Sequence, residues 1–139
     1  MYLLIAAVLL PGLPLIAQHK NIEGVWITPD RDAHIHIYRQ GQYYFGKMIW
    51  LTPEKDDAGN PITDTENPDP KKRNVPLKGM VIINDLVLKS EKWSGHIYDP
   101  ESGETYQVQI KLKDENEIEL RGYVGSPIFG RTEVWTRLK

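Results

Sequence analysis

Apolar and polar positions alternate with a period of two through most of the chain beyond residue 24. The clearest run is Thr105 to Leu112. Tyr106, Val108, Ile110 and Leu112 fall on one side of it, and Thr105, Gln107, Gln109 and Lys111 on the other. Successive side chains of a strand point to opposite faces, so this pattern predicts a strand with one buried and one wet face, as antiparallel sheets have. The following run repeats it, with Ile118 and Leu120 opposed to Glu117, Glu119 and Arg121. Further strands are expected at 24–28, 34–39, 42–51, 78–84, 93–98 and 130–137. Residues 86–91 read equally well as a strand or a connecting turn, so the count is eight or nine. Turn chemistry separates these runs, at Gln40-Gly41, Asp99 to Gly103, Asp114-Glu115-Asn116 and Gly125-Ser126-Pro127. No segment of helical length carries apolar residues at i, i+3 and i+4.

The expected fold is therefore all-β, an antiparallel up-and-down barrel whose closure removes exposed sheet edges. Gly24-Val25-Trp26 opens the pattern and Trp135-Thr136-Arg137 ends it. If the first and last strands lie side by side, Arg137 can rest on the Trp26 indole as a structural clasp, a cation–π contact of roughly 0.5–2 kcal/mol.

Two segments depart from the alternation. Residues 1–17 are apolar apart from Pro11, Gly12 and Pro14, and read as a secretory signal peptide ending at Leu15-Ile16-Ala17. That predicts an exported protein, periplasmic or secreted, with a single barrel domain over residues 18–139. An uncleaved anchor or a buried N-terminal strand is the alternative; the prolines argue against a stable membrane span. The second departure is Thr52 to Val75, which holds four prolines, six acidic and four basic residues. A structureless insert of this length is expected to be a solvated loop, a lid or a partner-docking segment.

With 139 residues, the chain has material for one domain and a sizeable core. It has no Cys, so strand pairing and burial must stabilise it without disulfides. A net charge of −2 gives no reason to expect nucleic acid or an anionic membrane as partner.

The candidate chemistry is sparse. On the last strand Arg131, Glu133, Trp135 and Arg137 share one face. If that face points inward, Arg131, Glu133 and Trp135, with Arg121, are the candidate ligand-binding lining of a partly polar barrel. Arg121 or Arg131 is then expected to pair with Glu133, because an unpaired buried charge costs several kcal/mol. An eight-stranded barrel is just wide enough to be filled by side chains or to hold one small ligand. His34 and His36 share a strand face, but a zinc site needs a further protein ligand, and neither His96 nor Asp99 is demanded by the spacing. No metal and no cofactor is therefore expected. Asp99, Pro100 and Gly103 are read as turn residues: an Asx-type turn, a fixed φ and a residue free to take positive φ. Tyr43, Tyr44, Phe45 and Trp50 crowd the third strand, either as packing covered by the long loop or as an aromatic pocket. No nucleophile motif, phosphate-binding glycine loop or spaced carboxylate pair is present, and a catalytic residue is not assigned.

Three stretches carry a family resemblance: Asp64-Thr65-Glu66-Asn67-Pro68-Asp69-Pro70; Gly95 to Tyr106, with Tyr98-Asp99-Pro100 and Gly103; and Arg121-Gly122-Tyr123 through Trp135-Thr136-Arg137. With Gly24-x-Trp26 they resemble the bacterial exported family known as domain of unknown function 2147. The resemblance implies a small barrel similar to lipocalins and streptavidin. It also implies packing of Trp26 against Arg137, and it implies no agreed activity. The leading expectation is a non-catalytic barrel that binds a small-molecule ligand. An envelope interaction module, with a filled barrel and a docking loop at 52–75, is the second. A hydrolase- or isomerase-like enzyme using His36, His96 or Glu133 is the third.

Overall fold

The computed structural model describes residues 21–139 together with Val8, Pro11 and Gly12. Apart from those three positions, the signal peptide expected over residues 1–17 lies outside the described residues. The strands are β1 (Gly24–Ile27), β2 (Ala33–Gln40), β3 (Tyr43–Leu51), β4 (Val81–Lys89), β5 (Lys92–Asp99), β6 (Glu104–Asp114), β7 (Glu117–Tyr123) and β8 (Arg131–Arg137). Each pairs antiparallel with the next. β1 pairs with β8 through Trp26 opposite Arg137 and Ile27 opposite Thr136, which closes the barrel. The only helical elements among the described residues are 3₁₀ turns at Pro70–Lys72 and Pro127–Phe129. No helix of the described residues is long and apolar enough to cross a membrane.

The strand count is eight because residues 86–89 continue β4 past an irregularity. Asp85 takes a positive φ of 56°, and the β4–β5 register shifts between Asn84 and Val87. One extra residue in a strand breaks its alternation, and this is why that run reads ambiguously. A second shift, between His34 and Ile35 on the β2–β3 pair, leaves His34 opposite Trp50 and Ile35 opposite Met48.

The pairings set the inner face. Trp93, Ile110, Leu120 and Glu133 form one cross-strand row, and Leu112, Ile118 and Trp135 another. Trp26, Ile35, Ile37, Met48, Ile83, Leu86, Trp93, Val108, Ile110, Ile118, Leu120 and Trp135 are buried in one continuous cluster. Three indoles and a shell of branched aliphatic side chains thus occupy the lumen, each contributing about 1.5–3 kcal/mol or more of burial.

The two barrel ends differ. One carries Ile22, the β2–β3, β4–β5 and β6–β7 turns and the end of β8. The other carries the β1–β2, β5–β6 and β7–β8 connections and the long connection of residues 52–80.

Candidate functional site

At the first end the Arg137 guanidinium lies 4.3 Å from the Trp26 ring centroid. It donates to the carbonyls of Glu23 at 2.7 Å, Asn21 at 2.9 Å and Glu115 at 2.6 Å. The Trp26 indole N–H donates to the Ile22 carbonyl at 2.8 Å. A Cβ on Gly24, which has φ +138°, would run into the Arg137 guanidinium. Each of the three guanidinium nitrogens donates to a backbone carbonyl, so this end is a plug that ties the segment before β1 to β8 and to the β6–β7 turn.

The lumen differs from the expected polar lining. The face of β8 carrying Glu133 and Trp135 does point inward: Trp135 is buried, and its indole N–H donates to Glu133 Oε2 at 3.0 Å. Arg131 shares that parity but stands exposed at the start of the strand. Arg121 pairs across with Thr132, on the outer face. It donates to Thr132 Oγ1 and to the carbonyls of Pro127 and Ile128 at 2.7, 2.8 and 3.2 Å. Arg121 is therefore not a lining residue, and Glu133 takes an indole rather than an arginine as partner. Arg121 falls on the wet parity of β7, with Glu117 and Glu119, whereas Arg131 stands on the inward parity of β8. The Trp93 indole N–H is buried without a protein acceptor, its ring edge-on to Tyr44 at 6.1 Å.

The concavity lies instead under the long connection, which is built rather than structureless. Asp56 Oδ1 accepts from the amides of Ala58 and Asn60, a tight Asx-type turn. Bridges pair Lys55 with Pro61 and Thr63 with Pro76, and the Lys78 ammonium reaches Glu54 at 2.8 Å. That ion pair holds the Glu54 carboxyl below its usual range. Asp69 caps the 3₁₀ turn through the Lys71 amide, and Arg73 Nε donates to the Asn67 carbonyl.

Asp64 is the centre of this arrangement. It is the one charged residue among the described ones that is fully buried, at 0 % exposure. The Tyr98 hydroxyl donates to its Oδ1 at 2.7 Å, and Asn67 Nδ2 donates to its Oδ2 at 2.7 Å. Asn67 Oδ1 accepts from the Asp69 amide, which fixes the orientation of that side chain amide. Burial first, then the hydrogen bond to Asp64 and the charge of that carboxylate, push the Tyr98 phenol up to about 12. Beside them opens a cleft of about 360 Å³, lined by Asp64, Asn67, Pro68, Lys72 and Val75 of the connection and by Met80, Val81, Asn84, Tyr98 and Thr105. The partners Tyr98 and Thr105 share the outward parity of β5 and β6 with His96 and Gln107. The cleft therefore lies between the connection and the outside of the barrel.

The β5–β6 turn supports the connection from below. Asp99 accepts from the Glu101 amide and the Ser102 hydroxyl, and Gly103 turns the chain at φ +73°. A Cβ on Gly103 would collide with the Glu66 backbone carbonyl. Turn and connection thus touch backbone to backbone. His34 stacks on Trp50 at 4.4 Å and Tyr38 on Phe45 at 5.8 Å, on the outer face of β2 and β3. No group of His, Asp or Glu among the described residues is arranged to hold a metal ion.

Asp64 and Asn67 stand in plain sight in the sequence as members of an acidic, proline-rich run. Read by composition they look solvated. The pattern that marks them is Asp64-x-x-Asn67-Pro68-Asp69, three side chains suited to local backbone capping with a proline to stop further strand. Nothing in that pattern names Tyr98 as the partner, 34 positions away.

Residues 24–137 match the family model described as "Uncharacterized protein conserved in bacteria (DUF2147)". No curated protein matches the chain. A solved structure, protein HP1028 from the human pathogen Helicobacter pylori, described as belonging to the lipocalin family, is similar with a TM-score of 0.73. Its identity to this chain is 23 %, over 86 % of this chain and 84 % of that one. At that identity the likeness speaks for the barrel alone.

Proposed function

This chain belongs to the bacterial family DUF2147, and from that premise we propose that it is an exported, non-catalytic module that binds a small molecule in the cleft beneath the long connection. One observation carries the reading: a fully buried carboxylate, Asp64, is spent on holding the wall of a cleft of about 360 Å³. Small-molecule sites are concave, partly apolar and supplied with a few fixed polar groups, with volumes from about 300 Å³ upward. Here Pro68, Val75, Met80 and Val81 supply apolar surface, while Lys72, Asn84 and Thr105 supply an ammonium, an amide and a hydroxyl. The lumen, packed by Trp26, Trp93 and Trp135, supports no comparable site.

Binding is favoured over catalysis by the state of the polar pair. The Tyr98 phenol, its pKa pushed up to about 12, stays protonated at neutral pH and serves as a donor, not as a base. Asp64 already accepts a hydrogen bond on each oxygen. Native mass spectrometry of protein purified from its own host tests the proposal. A small molecule retained by the wild type and lost from Asn84→Leu and Lys72→Met supports it. A retained molecule indifferent to both substitutions, or no retained molecule together with no cleft resonance moved in a fragment screen by NMR, would sink it.

A second reading, an envelope interaction module, is favoured by the filled lumen and by apolar side chains exposed at the same barrel end.

A further inference from the structure

The β7–β8 connection carries a knob unlike the rest of the surface. Val124, Ile128 and Phe129 are 70, 80 and 83 % exposed, the most exposed large apolar side chains between residues 21 and 139. Exposed apolar residues are ordinary when scattered, but three within six positions form a patch that calls for a partner. The knob is also held in place. Arg121 binds the carbonyls of Pro127 and Ile128, and the Ser126 hydroxyl caps the Pro127–Phe129 turn through the Ile128 amide. A rigid scaffold that presents Ile128 and Phe129 outward is not a loop left unpacked by neglect.

We propose that this knob seats the protein on an anionic lipid surface, with Ile128 and Phe129 entering the acyl boundary and Arg131 at the headgroups. The whole-chain charge of −2 argues against such a partner, but the local distribution argues for it. Between Glu119 and Glu133 the chain has no acidic residue and carries Arg121 and Arg131. Arg131 is exposed, two positions from Phe129. Apolar side chains beside basic ones are the arrangement that interfacial binding rewards. The same end also carries Asp99, Glu101 and Glu104 about the β5–β6 turn, Asp30 and Asp32 before β2, and the acidic residues of the 52–80 connection, so the contact proposed is made by the β7–β8 corner alone. This inference is independent of the cleft.

The test is co-sedimentation of protein purified from an exporting host with vesicles of phosphatidylethanolamine and phosphatidylglycerol at 7:3, at roughly 50 and 500 mM NaCl, against pure phosphatidylcholine. The expected result is salt-sensitive binding to the anionic vesicles, reduced about tenfold or more by Ile128→Asp/Phe129→Asp and about threefold by Arg131→Glu at low salt. Because the apolar residues 1–17 can bind lipid where they are retained, Phe129→Trp supplies a reading from the knob itself. Brominated lipid should quench its added fluorescence over the wild-type background. The proposal is overturned by equal sedimentation of wild type and double variant, by absence of that quenching, or by binding indifferent to salt and to phosphatidylglycerol. It is equally overturned if sedimentation equilibrium shows a dimer that the knob variants abolish without any vesicle binding, which would make a second copy the occupant.

Discussion

Removing Asp64 tests whether the connection is held down by one buried carboxylate. Asp64→Ala deletes the acceptor of the Tyr98 hydroxyl and of the Asn67 amide, both at 2.7 Å. A hydrogen bond to a charged group contributes about 1.5–3 kcal/mol net, so the two together set a gross loss of about 3–6 kcal/mol. Against this stands the relief of burying a carboxylate, a penalty of several kcal/mol in real proteins. Water entering the vacated space offsets more of the loss. The expected net cost is about 2–3 kcal/mol, and it should fall on the connection rather than on the barrel, because no strand pairing involves Asp64.

Hydrogen exchange followed by mass spectrometry reads this directly. The amides of Asp64, Asn67 and Leu77 are bonded to carbonyls within the connection, those of Val75, Asp64 and Ile62. A cost of about 2–3 kcal/mol corresponds to opening about 30- to 140-fold more often, with exchange faster by the same factor. Amides of β6 and β7, such as Val108 and Leu120, should keep their wild-type protection. Tyr98→Phe should reproduce part of the effect, and the double variant should show a coupling of about 1–2 kcal/mol. If Asp64→Ala leaves connection exchange within threefold of wild type, the carboxylate is not the staple and the reasoning fails. If barrel and connection amides accelerate together, the connection is part of the barrel's cooperative unit and the cleft has no independent lid.

Arg137→Ala should lower the melting temperature by about 8–15 °C, as expected for a loss of about 2–4 kcal/mol in a domain of this size; Arg137→Lys, which cannot span the three carbonyls, should fall between, and an unchanged Arg137→Ala would refute the plug. Gly103→Ala should speed exchange at Asn67, whose amide is bonded to the Asp64 carbonyl, because the turn needs a positive φ and the added Cβ meets the Glu66 carbonyl; exchange at the wild-type rate would show that the turn and connection do not bear on each other. The Tyr98 phenol, raised from 10.0 to about 12, gives stability that is complete below the unfolded value and lost as pH climbs from about 10 through 12. Absorbance titration at alkaline pH should therefore show one late-ionising tyrosine that Tyr98→Phe removes, and its absence would contradict the Asp64 contact.

The barrel was legible because a half-buried strand writes its two faces into the sequence one residue at a time. Residues 105–112 show this without ambiguity, and the Trp26–Arg137 bracket added the closure. Legibility failed where the period fails. At Asp85 a single residue in the left-handed region shifts the register, so residues 86–89 lose their phase with 81–84. It failed again in the connection, where structure comes from side chains capping backbone rather than from repeating contacts. There Asp56, Asp64, Asn67 and Asp69 look alike in composition, yet only Asp64 is buried. The distinction depends on where the β3–β4 segment lands after closure, a long-range fact that no local pattern contains. The outward face of Arg121 is written in the 117–121 alternation; what no local pattern contains is its partners, Pro127 and Ile128, in a turn whose path is set by the β7–β8 pairing.

These failures share a cause that bears on function. A barrel of eight strands has room for side chains or for one small ligand, and this chain fills it with three tryptophans and a shell of isoleucine and leucine. Once the lumen is a core, it cannot also be a site without losing stability. Polar chemistry is then left to whatever the chain adds outside the strands, and the two additions that depart from simple turns are the 52–80 connection and the 124–130 knob. Each is fixed by a side chain that the sheet itself does not need. Tyr98 points off the outer face of β5 to receive Asp64, and Arg121 points off the outer face of β7 to hold Pro127 and Ile128. Tyr98 and Arg121 each tie a barrel strand to a segment that lies outside the sheet. On the function proposed above, the barrel's part is to hold such strands still while the segments they carry make the contacts.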